Sequence, residues 1–211
     1  MNILIFHPSY PGQYLYLAQH LAKDPKNRVV FVAKTSNGRH FPGVELVLYA
    51  PSRGATAQIH PYLQPSEEAV LEGQAVFRTV RELKEQGFVP DVMIGHTGWG
   101  SSLFLKDLYP NVPLIGYFEW YYHARGADTG YWETDFVSTN DMLGIRMRNI
   151  FHLSNLVSCD LGYCPMRWQK QQFPSEFQSK LEVVHEGVDT DFCSPEKGTK
   201  MVLDDIGLDL S

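Results

Sequence analysis

Residues 2–33 read NILIFHPSYPGQYLYLAQHLAKDPKNRVVFVA. Asn2–Phe6 is an unbroken apolar run of the kind expected for a strand buried on both faces, and Pro8 and Pro11 follow it at once. Residues 13–23 then repeat at helical spacing, with Leu15, Ala18, Leu21 and Ala22 on one face. Arg28–Ala33 is a second apolar strand. Two strands joined by a helix of about ten residues predict a parallel βαβ unit, because a parallel crossover needs roughly that length.

Outward from this unit the alternation continues. Val44–Leu48 predicts a third strand, and residues 50–64, rich in Pro, Gly, Ser and Gln without a period, a long loop. Pro65 and Ser66 open a helix to about residue 86, with Glu67 and Glu68 suited to its first turn and Gly87 able to stop it. Strands are predicted over 92–95, 113–117, 161–163 and 181–185, and helices over 101–108, 138–158 and 166–172. The class is therefore α/β: a Rossmann-like, open, mostly parallel sheet of six or seven strands with helices on both faces. Residues 1–190 are expected to form the compact unit. Residues 191–211 are expected to be a linker, ordered in part as a helix, because the segment 186–198 is rich in Gly, Pro and Asp.

Composition narrows the function classes. The 211 residues are 44% hydrophobic and 20% charged, enough for a sizeable core. A net charge of −6 lacks the basic footprint of a nucleic-acid binder. No run approaches the roughly 18 apolar residues that cross a bilayer, which leaves room for peripheral membrane contact only. The N-terminus has no basic region ahead of its apolar run and reads as a buried strand, not a signal peptide. Cys159, Cys164 and Cys193 form no Cys-x-x-Cys pair and predict buried or inert thiols in a reducing cytoplasm. No His/Cys/Asp/Glu cluster has metal spacing, so no metal ligands are assigned; Asp189-Thr190-Asp191 is discounted because it follows the last strand in a linker context.

In parallel sheets of this kind ligands bind outside the carboxyl ends of the strands, so the loops there carry the chemistry. After the first strand come Pro11 and Gly12, readable as a plain turn or as a backbone approach to an anion at the helix start. After the fourth comes His96-Thr97-Gly98-Trp99-Gly100, with His96 either a structural hydrogen-bonder or a functional group. After the fifth comes Glu119-Trp120-Tyr121-Tyr122-His123-Ala124-Arg125, an acid that directly ends an apolar run, then aromatics of the type on which sugars stack. The bland alternative is an aromatic loop that covers the sheet edge, with Glu119 capping a helix or paired to Arg125.

Residues 181–195, LEVVHEGVDTDFCSP, resemble the segment that closes the N-terminal domain of family 4 glycosyltransferases. Residues 90–107, 114–126 and 166–173 resemble a bacterial subgroup of that family, so the likeness covers nearly the whole chain. The resemblance implies half of a GT-B enzyme: an acceptor-side domain facing a C-terminal donor domain, with retaining stereochemistry, a nucleotide-sugar donor as co-substrate, and neither a cofactor nor an obligatory metal. It places Gly12 near the donor phosphates, so that Gly12→Val should cut turnover with the fold intact. The donor domain's Glu-x7-Glu motif does not occur in these residues, so the partner domain of the same chain is expected to be missing and the fragment inactive alone. Many family members carry a histidine just after the fifth strand; here that position is Glu119, so the histidine's role does not transfer.

The expected function is transfer of a hexosyl unit to a hydroxyl of a glycan, lipid or small molecule. Glu119 and His96 are the candidate catalytic pair, and Gly12, Trp99, Trp120, Tyr121, Tyr122 and Arg125 the candidate binding residues. A carboxylate at position 119 serves as a base only if its aromatic neighbours raise its pKa. The alternatives are a GT-B nucleotide-sugar epimerase half and a non-catalytic sugar-binding module.

Overall fold

A computed structural model describes residues 1–132 and 134–195, with the backbone of 202–203 and 208–209. Strands β1 (Asn2–Phe6), β2 (Arg28–Ala33), β3 (Val44–Leu48), β4 (Val92–His96), β5 (Leu114–Tyr117), β6 (Leu161–Cys164) and β7 (Leu181–Val183) form one sheet in the order β3-β2-β1-β4-β5-β6-β7. Every neighbouring pair in it is parallel. The Rossmann-like layer of six or seven strands expected from the alternation forms with seven, all parallel. Chain order reverses between β1 and β4, which opens a crevice at their carboxyl ends.

The strands bury both faces because helices cover both. Leu4 and Phe6 point to one side, where they join Val76, Val80 and Leu83 of α2 (Gln64–Glu85) and Leu156 of α5 (Ile150–Ser158). Ile3 and Ile5 point to the other, against Ala18 of α1 (Leu15–Ala22) with Tyr10 and Tyr14. Fully burying each of the Leu, Ile, Val and Phe side chains among these contributes about 1.5–3 kcal/mol. Phe118 is wholly buried, and its ring lies where a Cβ on Gly116 or Gly162 would stand. This anchor fixes the chain as it leaves β5 and turns the next residue, Glu119, the other way.

Several boundaries differ from the sequence expectation for local reasons. Helix is confined to α3 (Leu105–Leu108), not 101–108; residues 101–104 run as turns, closed by Leu103 N–H to Gly100 C=O at 3.0 Å and Leu105 N–H to Ser102 C=O at 3.2 Å, while the Ser102 hydroxyl donates to Asn155 Oδ1 at 2.8 Å. The single helix expected over 138–158 is two, α4 (Thr139–Arg148) and α5. α4 opens on a capping box between Ser138 and Asp141. It stops at Asn149, whose side chain accepts from Tyr122 N–H at 3.0 Å and donates to Tyr122 C=O at 2.8 Å. The short helix α6 (Arg167–Gln172) leads through a 3-10 turn at Ser175–Lys180 into β7, which ends at Val183, two residues short of expectation. Beyond residue 195 the described backbone is a two-residue antiparallel pair, β8 (Val202–Leu203) with β9 (Leu208–Asp209); the partial helix expected in the last twenty residues otherwise falls outside the described residues.

Candidate functional site

Three adjacent strands deliver polar groups to one point on the carboxyl edge. In register, Phe6 faces Gly95 and His96 faces Tyr117, so the residue after β1 (His7), the last of β4 (His96) and the second after β5 (Glu119) lie side by side. The turn after β4 is pinned by Thr97, whose N–H and hydroxyl both donate to Tyr117 C=O, at 3.1 and 2.8 Å. Asn155 donates to Thr97 C=O at 3.1 Å while accepting Ser102, which ties this turn to α5. α2 presses against the same turn closely enough that a Cβ on Gly73 would stand 2.7 Å from Gly100 C=O.

His96 is buried, and its ring nitrogens have separate partners. Gly98 N–H donates to Nδ1 at 2.9 Å, which leaves the proton on Nε2. Nε2 donates to Glu119 Oε2 at 3.0 Å. This bond holds the Glu119 carboxyl below the usual carboxylate range, against a smaller opposing effect of partial burial. Burial lowers His96, although Glu119 and Glu186 pull the other way. Both directions agree on one state near neutrality: neutral imidazole beside ionised carboxylate. A Glu119 pKa raised by aromatic neighbours, the condition set for a base, is therefore corrected, and Glu119 pairs with His96, not Arg125. Its side chain remains 40% exposed, so one carboxylate oxygen is open to a ligand.

His7 was passed over in the sequence although its loop was not. Its ring lies edge-on to His96 at 5.4 Å, and burial with the nearby His96 pushes its pKa down to about 4. Gly12, with φ +52°, packs so tightly on it that a Cβ would stand 2.5 Å from His7 Nδ1. His7 Nε2 and Gln13 Oε1 are buried without hydrogen-bond partners. Glu186, also missed because it lies in the segment approaching the presumed linker, accepts the hydroxyl of Tyr117. The register of strand ends was the signal that could have found His7; nothing local marks Glu186.

The aromatic candidates divide. Trp99, 47% exposed, lies over both histidines, 4.3 Å from His96 and 5.4 Å from His7. Trp99 and Tyr122 line a cleft of about 910 Å³ that continues over Lys34, Glu72 and Arg148. Trp120 and Tyr121 face elsewhere, the first against Trp168 at 5.3 Å and the second against Phe173 at 5.4 Å. Arg125 is exposed and outside the cleft. The run after β5 is thus not one stacking platform, because Asn149 pins Tyr122 toward the cleft while the core takes Tyr121. Asp189 accepts from the N–H groups of Asp191 and Phe192, which closes a turn there. Among the described residues no group of three or more His, Cys, Asp or Glu could hold a metal ion, and no helix is long and apolar enough to cross a membrane. Cys159 and Cys164 are buried, while Cys193 is exposed.

The Glycosyl transferase family 4 group matches this chain over residues 25–193. The chain belongs to that family. Among solved structures, a UDP-glucosyltransferase from Polygonum tinctorium capable of glucosylating indoxyl superimposes with a TM-score of 0.57 at 9% identity, over 97% of this chain and 55% of that one. UGT2 of Phytolacca americana, complexed with UDP-2-fluoro-glucose and pterostilbene, gives 0.55 at 10% identity, over 91% and 55%. The UDP-GlcNAc 2-epimerase of Neisseria meningitidis bound to UDP-GlcNAc gives 0.44 at 12% identity, over 87% and 45%. At such identities the likeness to the two glucosyltransferases is one of fold, that of a GT-B half. This chain spans about half the length of the structures it matches. No curated protein matches the sequence.

Proposed function

We propose that this chain is the acceptor-side half of a retaining GT-B glycosyltransferase that moves a hexosyl unit from a nucleotide sugar to a hydroxyl acceptor. The observation that carries this reading is the His96–Glu119 pair at the carboxyl edge of a family 4 domain: a carboxylate held ionised, not itself in the wall of the ligand-sized cleft but joined to it through Gly98 and Trp99, which contact His96 and line that cleft.

In such a reaction the bond from the anomeric carbon to phosphate breaks and positive charge develops on the sugar. A fixed carboxylate stabilises that charge or accepts a hydrogen bond from a sugar hydroxyl, and it does so best when already oriented. His96 holds Glu119 in place through a single tautomer, and Gly98 N–H fixes that tautomer. The backbone at Gly12 is the part of this half proposed to meet the donor phosphates, since the positive φ there suits a residue without Cβ. Trp99 and Tyr122 take the acceptor, while Trp120, Tyr121 and Arg125 lie outside the cleft. In this reading residues 191–211 lead toward a donor-binding domain, the reaction needs no metal or cofactor, and the enzyme works in the cytoplasm.

The test is product analysis. The protein with its donor-binding domain, incubated with UDP-, GDP- and ADP-sugars and hydroxylated acceptors, should release nucleoside diphosphate and glycosylated acceptor. Recovery of an epimerised nucleotide sugar instead would assign the epimerase reading. Calorimetry on residues 1–211 alone should find donor binding weaker than about 1 μM, or −8 kcal/mol, because most donor contacts belong to the other domain.

A further inference from the structure

Beyond Trp99 the cleft runs over an ion pair with no part in the chemistry above. Glu72, on α2, is only 5% exposed, yet it lines the cleft. One of its oxygens accepts the Tyr49 hydroxyl, and the other stands 3.4 Å from Lys34 Nζ, whose side chain is half exposed. An ion pair with one partner half in solvent contributes little net stability, since water screens the attraction. At 3.4 Å this pair is also longer than a well-formed hydrogen bond. The carboxylate and the ammonium thus keep unused acceptor and donor capacity on the cleft side.

A hydroxyl is at once donor and acceptor, and adjacent hydroxyls on a ring complement a carboxylate set beside an ammonium. The walls fit the same ligand. Trp99 and Tyr122 present aromatic surface to the cleft, and sugar rings carry apolar C–H faces that pack on such surfaces. The charges lining the cleft nearly cancel: Lys34, Arg53 and Arg148 stand against Glu68 and Glu72, and Arg53 is held by Glu67 at 2.6 Å. A strongly anionic ligand has no concentrated partner there, and an acyl chain would meet charged side chains.

We propose that this cleft is a subsite for a neutral, hydroxyl-rich sugar ring, with Lys34 and Glu72 reading adjacent hydroxyls and Trp99 and Tyr122 taking the ring face. Naming that ring the acceptor rests on the glycosyl-transfer reading; its binding does not. The test is NMR titration of the 211-residue chain with the methyl glycosides of glucose, galactose and mannose, and with glucose 6-phosphate. At least one methyl glycoside should bind with a Kd of about 1–10 mM and shift the Trp99 indole signal. Glu72→Gln and Lys34→Met should each weaken it at least about tenfold, and Lys34→Arg should restore most of the loss. Lys34 is exposed enough that its variants test the subsite even where Glu72→Gln melts early. The proposal is overturned if no glycoside binds below about 100 mM, if both charge-removing variants bind normally, or if glucose 6-phosphate binds about tenfold tighter than methyl glucoside. Binding as expected in a protein that transfers no sugar would leave the subsite standing and remove only the acceptor label.

Discussion

Replacing Gly12 by alanine puts two separable loads on the site. The backbone there has φ +52°, a left-handed conformation that costs a residue with a Cβ about 1–2 kcal/mol. The new Cβ would also stand 2.5–2.7 Å from three atoms of the His7 ring, which is nearly buried and must shift to clear it. A shift breaks the bond from Ser9 N–H to His7 Nδ1, now 2.9 Å and worth about 1 kcal/mol. The sum is about 2–3 kcal/mol, or roughly 5–10 °C in Tm for a domain of this size. The larger valine adds to the same contact, so Gly12→Val should lose stability as well as turnover, contrary to the sequence expectation of an intact fold. Urea unfolding of Gly12→Ala, His7→Ala and the double variant separates the loads. With His7 truncated, Gly12→Ala should cost only the conformational part, about 1–2 kcal/mol. An equal cost in both backgrounds would mean that His7 is not what the glycine accommodates.

Two further outcomes follow from buried groups. His7 and His152 are buried, and burial holds their pKa values at about 4 and about 3, below the ordinary 6.5. Folded pKa values below unfolded ones mean that the unfolded chain takes up protons first as pH falls; stability is therefore full above about pH 6.5 and is lost toward pH 4, by about 2–3 kcal/mol per histidine at pH 4.5. A urea midpoint unchanged between pH 7.5 and 4.5 would contradict this. Asn155→Ala leaves Ser102 without its acceptor and Thr97 C=O without a donor, and should cost about 1–3 kcal/mol by thermal melting; a neutral effect would show that this network does not hold the turn after β4.

Legibility followed the scale of the physics. The strands read clearly because each is a short apolar run buried on both faces, and β1 through β3 begin and end where their hydrophobic runs do. What failed to read were the features set by contacts distant in sequence. The break at Asn149 comes with its two bonds to Tyr122, 27 residues away, and the turn at 101–104 is tied to Asn155, 53 residues from Ser102. At the candidate site, the juxtaposition of Glu119 and His96 was legible because both stand at the ends of apolar runs. His7 stands at such an end too, but its link to them exists only once β1 pairs with β4. The aromatic run misled because composition does not say which ring the core takes. Tyr121 went to the core and Tyr122 to the cleft. Glu72 was hidden inside a helix pattern that gives no sign of the cleft beside it.

On the proposed glycosyl-transfer reading, the most direct measurement is turnover of Glu119→Gln in a protein that joins this chain to a donor-binding domain, beside its melting temperature. The substitution keeps size and hydrogen-bonding capacity and removes the charge that His96 stabilises. Release of nucleoside diphosphate should fall at least about tenfold, or 1.4 kcal/mol of transition-state stabilisation, with Tm nearly unchanged. Normal turnover with an earlier melt would make Glu119 a structural acid and contradict its place at the centre of the reaction.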